Sequence, residues 1–183
     1  LDRLADLGHV QHLPNPAFAF DSTAFQPVAL NYAHGLRAMR EADFFLSMDV
    51  DEFINVTCGD HTFSALFNTA GAFDVLSMSE VNHGCNHHEH YQPGWMTELF
   101  PAHQTTTPGK FKSRRGVKSV VRLSERVEKL RNHRPDMRDD LGPILWLDGS
   151  GRVTGHFLAD RNENGHDCRR SFDLVRLEDF PLR

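Results

Sequence analysis

A short, nearly all apolar run, Phe44–Met48, leads directly into the acidic segment Asp49–Glu52. The run is too short for a helix and predicts a buried strand of a parallel sheet. Ligands bind at the carboxyl edge of such sheets, so we expect the carboxylates of Asp49, Asp51 and Glu52 at a ligand cleft. Three like charges there are costly to bury without a cation, and hard oxygen ligands select Mg²⁺ or Mn²⁺. Solvated surface acids at a strand end are the alternative.

Helices and strands alternate through the first 82 residues. The hydrophobic spacing predicts helices at Leu1–Leu7, within Ser22–Arg40 and at Thr62–Asn68. It predicts strands at His9–Leu13 and Asp74–Val81. This alternation indicates an α/β fold with a sheet flanked by helices.

The second half of the chain is less regular. Residues 82–108 are rich in His, Gly, Pro and Thr and are predicted to be mostly loop. Strands are predicted at Gly116–Arg122 and Ile144–Leu147, and the turn Asp148–Gly151 predicts a hairpin that continues into Val153–Leu158.

Composition narrows the classes of partner. The 183 residues suit one domain, and a net charge of −5, from 20 Lys+Arg against 25 Asp+Glu, gives no basic surface for nucleic acid. The apolar runs are far shorter than the roughly 18–20 residues that cross a bilayer, so we expect at most peripheral membrane contact. Cys58, Cys85 and Cys168 lack paired spacing, which favours free thiols in a cytoplasmic protein.

Several stretches, taken together and in order, carry a family resemblance. Residues 44–55 resemble the metal-binding segment of family 2 glycosyltransferases of GT-A fold, in particular bacterial members whose strand ends in D-x-D-E-F. Further passages are similar to that group's helix-strand start, Gly-Ser-Asn-Gly-His loop, Lys-containing strand, His-x-Pro, Asp-Gly-Ser-Gly and late His-Tyr-x-x-Arg-Ser motifs: Leu4–Pro16, Gly84–His88, Lys118–Arg122, His133–Pro135, Trp146–Gly151 and His166–Ser171.

The resemblance implies a single GT-A-like, Rossmann-like domain over residues 1–183 with a mixed sheet. Residues 1–82 would form the nucleotide-sugar and metal half, and residues 83–183 the acceptor half. Family members carry a further strand and helix upstream of the passage that matches Leu4–Pro16. We therefore expect this chain to be an N-terminally truncated form.

The resemblance also implies a function: transfer of a sugar from a nucleotide-sugar donor, a UDP-sugar first of all, to a saccharide or other hydroxyl acceptor, with inversion. Asp49 and Asp51 would hold Mn²⁺ or Mg²⁺, with Asp49 also placed to contact the ribose. Glu52 would ligate through water or orient Asp51. His133 is the first choice for a third metal ligand and His166 the second.

Other residues are assigned roles by position in the same pattern. His88 would bind the donor or acceptor sugar, and Lys118 would reach the diphosphate as a point charge. An inverting transfer needs a base for the acceptor hydroxyl, and Glu80 and Glu98 are the candidates.

Four histidines lie close together at His83, His87, His88 and His90. Glycine and proline in this segment argue against the helix that would align them, so a polar loop is favoured over a zinc site.

Two other functions stay open. One is a truncated, inactive domain that binds sugar or metal. The other is a phosphatase whose strand also ends in D-x-D, although Phe53 occupies the position where that motif carries Thr or Val.

Overall fold

The computed structural model describes residues 2–11, 13, 25–103, 117–154 and 173–181. It is a mixed α/β structure in which a curled mixed sheet is flanked by helices. The helices are α1 (Asp2–Asp6), α2 (Phe25–His34), α3 (Arg37–Arg40), α4 (Phe63–Ala70) and α5 (Met96–Leu99). The strands are β1 (Phe44–Leu46), β2 (Glu52–Val56), β3 (Val75–Asn82), β4 (Val117–Arg122), β5 (Val127–Lys129), β6 (Asp136–Met137), β7 (Trp146–Asp148) and β8 (Val175–Asp179).

Six strands form the main sheet, in the order β1-β4-β3-β8-β2, with β7 also paired to β3. Strand β3 is central: it runs antiparallel to β4 and parallel to β7 and β8. Strands β1 and β2 pair antiparallel with β4 and β8. Strands β1, β3, β7 and β8 therefore point the same way, and their carboxyl ends share one edge of the sheet. Strands β5 and β6 form a separate small sheet.

Apolar clusters lie on both faces of the sheet. On one face Leu66 of α4 is fully buried against Met78 of β3 and Val120 of β4. The next residue of β4, Val121, points to the opposite face and belongs to a cluster with Leu30 of α2. Side chains alternate along a strand, so a strand covered on both faces is buried at nearly every position, and in β4 the buried positions include the polar residues Lys118 and Ser119.

The helix predicted at Thr62–Asn68 is found as α4. Helix α4 begins after Thr62, whose hydroxyl accepts a hydrogen bond from the backbone N–H of Ala65 at 3.1 Å, and it ends at Gly71, which has φ +73°. In the described part of Ser22–Arg40, two helices replace the single predicted one. The helix is interrupted at Gly35, between α2 and α3, because glycine is a poor helix former.

Three other predictions differ from the structure. The described residues 9–11 and 13 form no strand, and the two prolines that follow cannot donate to a sheet. The run Phe44–Met48 gives a strand of only three residues, half-buried at the sheet edge rather than in its middle. Of the predicted hairpin, the described residues show one bridge, Leu147 with Val153; residues 155–158 lie outside the described part.

None of the described helices has the length and apolar character needed to cross a membrane. Cys58 and Cys85 are free thiols, and Cys168 lies outside the described residues.

Candidate functional site

A cleft of about 570 Å³ opens at the carboxyl edge of the parallel strands. Its volume falls within the roughly 300–1,000 Å³ typical of small-molecule sites. Five carboxylic acids line it, together with an imidazole, an amide and two apolar side chains: Asp49, Asp51, Glu52, Glu80, Asp179, His133, Gln26, Met48 and Val50. The cleft is thus strongly acidic.

Two hydrogen bonds fix the acidic segment Asp49–Glu52, one within the segment and one from Phe180, the residue after β8. Residues 47–51 connect β1 at one edge of the sheet to β2 at the other. The carboxylate of Glu52 accepts a hydrogen bond from the backbone N–H of Asp49 at 2.8 Å. The backbone N–H of Phe180 donates to the carbonyl of Asp51 at 3.1 Å. Glu52 therefore orients Asp49, whereas the expected roles were ligation of the metal through water or orientation of Asp51.

Lys118 lies beneath the cleft and is fully buried. Its ammonium donates to Asp49 Oδ2 and to Asn132 Oδ1, both at 2.8 Å, and lies 3.3 Å from Glu52 Oε2. Asn132 Oδ1 also accepts a hydrogen bond from the hydroxyl of Ser47 at 2.9 Å. A lysine ammonium has three N–H groups; two of them are used in the hydrogen bonds to Asp49 and Asn132, and Glu52 Oε2 lies within ion-pair distance. In this arrangement Lys118 acts on the cleft through Asp49 and Glu52 and does not itself line it.

The charges in the cleft are unbalanced. The hydrogen bond from Lys118 lowers the pKa of Asp49 below its usual value. Burial raises the pKa of Asp179, and the negative charges of Asp51, Glu52 and Asp49 raise it further. Lys118 therefore offsets the negative charge of Asp49 and Glu52, and the part of the cleft around Asp51 and Asp179 keeps a surplus of negative charge.

A hydrogen bond at Nδ1 sets the tautomer of the neutral His133 ring. Its Nδ1 lies 3.0 Å from the carbonyl oxygen of Val117, so in the neutral ring Nδ1 carries the proton and donates it. Nε2 then has a lone pair, and the residue lines the cleft. Histidines that bind metals are typically oriented in this way by a carbonyl or carboxylate on the other nitrogen.

The predicted site residues divide into two groups. Asp49, Asp51, Glu80 and His133 meet in the cleft. Glu98 is exposed on α5 and does not line it.

His88 is also placed away from the cleft lining. Its ring lies edge-on to Phe100, with centroids 5.7 Å apart. His166 lies outside the described residues.

The donor set fits a divalent cation by its chemistry. The carboxylate of Asp51 makes no hydrogen bond with the described residues, and only Oδ2 of Asp49 receives Lys118. Among the described residues, no three His, Cys, Asp or Glu side chains form a group that could hold a metal ion by themselves. Sites for Mg²⁺ commonly use one or two carboxylates and complete the shell with substrate phosphates and water.

Asp179, which lines the cleft, and Asn132, which binds Lys118, are not predicted from the sequence. Asp179 ends β8, which the sequence signals only by the alternating apolar residues Val175 and Leu177. Asn132 reaches the site by accepting a hydrogen bond from Lys118, and nothing in the local sequence marks it.

No protein-family model matches the chain. No curated protein matches it either.

Proposed function

We propose that the chain is a GT-A-like glycosyltransferase domain that takes a nucleotide-sugar donor and a divalent cation. The observation that supports this most is the meeting of Asp49, Asp51, Glu80 and His133 in one acidic cleft. These residues come from three separate parts of the sequence. The glycosyltransferase resemblance assigns Asp49, Asp51 and His133 to the metal, and Glu80 is a candidate base because it lies toward the end of a strand at the same edge of the sheet.

In this proposal Asp49 and Asp51 hold Mn²⁺ or Mg²⁺, and donor phosphates and water complete the coordination shell. His133 lines the same cleft and would join them on binding, since the three side chains do not form a ligand group beforehand. The bound cation offsets the charge that the nucleoside diphosphate gains as it leaves the anomeric carbon. Lys118 and Glu52 fix Asp49 by its carboxylate and its backbone, so the carboxylate is oriented before any ligand arrives.

Glu80 is assigned the base. The acceptor hydroxyl oxygen bonds to the anomeric carbon while the bond from that carbon to the diphosphate oxygen breaks. The hydroxyl proton passes to Glu80 and the nucleoside diphosphate leaves. Glu80 suits this role better than Glu98 because it lines the cleft.

The experiment measures UDP binding by calorimetry with and without MnCl₂. We expect the wild type to bind UDP only with Mn²⁺, and Asp51→Asn to weaken binding at least about tenfold, a loss of roughly 1.4 kcal/mol. Asp139→Asn makes the same change of charge at an exposed position outside the cleft and should bind as the wild type does. UDP release from UDP-sugars, with saccharide acceptors, then tests transfer.

Failure has two recognisable forms. No binding of Mn²⁺ and UDP by the folded wild type would support the inactive-domain alternative. Hydrolysis of sugar phosphates without use of UDP-sugars would support the phosphatase alternative.

A further inference from the structure

The ring of His83 is held by two acceptors. His83 follows β3, and its Nδ1 lies 2.7 Å from the carbonyl oxygen of Phe100. Its Nε2 lies 2.8 Å from Oε2 of Glu178 on β8. The side chains of His83 and Glu178 are only 9% and 10% exposed, so water does not readily replace either contact.

The number of protons on the ring follows from these two partners. A carbonyl oxygen only accepts hydrogen bonds. Burial raises the pKa of Glu178, but hydrogen bonds from His83, Asn55 and Arg176 outweigh it and bring the pKa below its usual value, so this group also accepts. A neutral imidazole has one N–H and can satisfy only one acceptor, whereas the imidazolium has two. The protonated ring therefore satisfies both contacts, whereas a neutral ring satisfies only one of them.

The surroundings of the ring are defined on each side among the described residues. The ring stacks on Phe180, with centroids 4.0 Å apart and planes at 23°. The titratable ring of His103 lies at 5.5 Å. Beyond Glu178 stands the guanidinium of Arg176, which donates to Oε1 at 2.6 Å. Glu178 is thus the negative group between His83 and Arg176.

The two contacts join different parts of the fold. Phe100 follows α5 near the end of segment 84–103, which leaves β3 at Gly84 and returns beside His83 through its bridge to His103. Glu178 belongs to β8, next to the cleft residue Asp179. The backbone N–H of His83 also donates to the carbonyl of Asp179 at 2.8 Å.

We propose that His83 is a pH-sensitive latch: when its ring is protonated it ties segment 84–103 to strand β8 at the rim of the cleft, and loss of a ring proton releases that segment. The inference goes beyond the proposed function, since it holds whatever reaction the cleft supports.

The direction of release follows from the strengths of the two bonds. A hydrogen bond to a charged carboxylate is stronger than one to a neutral carbonyl. The remaining proton therefore stays toward Glu178, and the bond to Phe100 is lost. Opening should affect segment 84–103 and leave β8 protected.

The test is amide hydrogen exchange on the full chain at a series of pH values, corrected for the intrinsic rates. Histidine changes charge between about pH 5 and 8. Across that range we expect exchange in segment 84–103 of the wild type to rise about fivefold to tenfold, the effect of one lost hydrogen bond. Exchange in β8 should change little.

Two variants distinguish the latch from general loosening. His83→Gln cannot titrate and should show no step. His90→Gln removes an exposed histidine of the same segment and should show the wild-type step.

A flat profile in the wild type, or the same step in His83→Gln, overturns the proposal. If His83→Gln does not fold, ¹⁵N spectra of the wild-type rings decide instead. His83 must then carry protons on both ring nitrogens at low pH and lose one across the exchange step; a single proton at low pH overturns the proposal.

Discussion

Replacing Lys118 by methionine removes the only lysine beneath the cleft in the described part of the chain while largely keeping its volume. Glu52 is 8% exposed and loses its cationic partner, and removing one member of a buried ion pair costs about 3–5 kcal/mol. The side chain of Asp49 is 46% exposed, so water replaces much of its interaction, and such pairs contribute about 1 kcal/mol at most. The expected loss therefore comes mainly from Glu52.

The assay is urea unfolding near neutral pH, followed by far-UV circular dichroism. We expect Lys118→Met to lower the free energy of unfolding by about 3–5 kcal/mol. Lys129→Met changes the same residue type at an exposed position on β5 and should stay within about 0.5 kcal/mol of the wild type.

A double-mutant cycle shows whether charge is the cause. Glu52→Gln removes the buried negative charge, so the double variant Lys118→Met, Glu52→Gln should lose about 1–3 kcal/mol less than the sum of the single losses. A loss below about 1 kcal/mol for Lys118→Met, or strictly additive losses, would refute the argument that Lys118 compensates Glu52.

Three further predictions concern stability. Burial and the neighbouring carboxylates raise the pKa of Asp179, so its ionised form destabilises the native state; Asp179→Asn should raise the melting temperature near pH 7 and give no gain near pH 3, below the ordinary value of 3.8. An equal gain at both pH values would contradict this. Thr62→Ala removes the N-cap of α4 and should cost about 1 kcal/mol in urea unfolding, whereas Thr69→Ala in the same helix should cost under about 0.5 kcal/mol. Trp146→Phe removes the indole N–H that donates to buried Ser77 at 2.8 Å and should cost about 1–3 kcal/mol by circular dichroism; a smaller loss would mean that the bond is not formed in solution.

Elements with a strong local signal could be predicted from the sequence. The N-cap Thr62 and the spacing of Phe63, Leu66 and Phe67 specify α4 within a few residues of each other. Strand β3 is specified in the same way by its apolar residues Val75, Leu76, Met78 and Val81, and the small serines between them allow burial on both faces. These signals act over one or two turns or a single strand, so no knowledge of the rest of the fold is required.

The order of the strands could not be predicted. The run Phe44–Met48 is apolar enough for a central strand, yet β1 lies at an edge because only β4 pairs with it in the described part of the sheet. An apolar run shows that a strand is buried but does not say which strands are its neighbours.

The candidate site shows the same difference: residues at the ends of predicted strands could be placed from the sequence, and a residue that depends on long-range strand pairing could not. The rule that ligands bind at the carboxyl edge places Asp49, Asp51 and Glu80 together from sequence alone. It does not place Asp179, because β8 pairs with a strand that is distant in the sequence: the side chains of Asn55 on β2 and Glu178 on β8, 123 positions apart, are hydrogen-bonded. The glycosyltransferase assignment and its metal stay predictions.

The partners of the Lys118 ammonium could not be predicted from the sequence either. Whether its ammonium meets a phosphate or a carboxylate depends on burial beneath the acidic segment, and the spacing of residues does not encode burial.

Residues 47–51 cross from β1 to β2, and this crossing affects the order in which the protein folds. They can settle only after the last described strand has inserted between β3 and β2, and contacts between such distant residues are slow to form. During synthesis, the early part of the chain emerges with its aspartates already present but with no partner strand to arrange them. We expect the cleft to be completed in one of the final steps of folding, so that ligand recognition begins only once the whole sheet has closed.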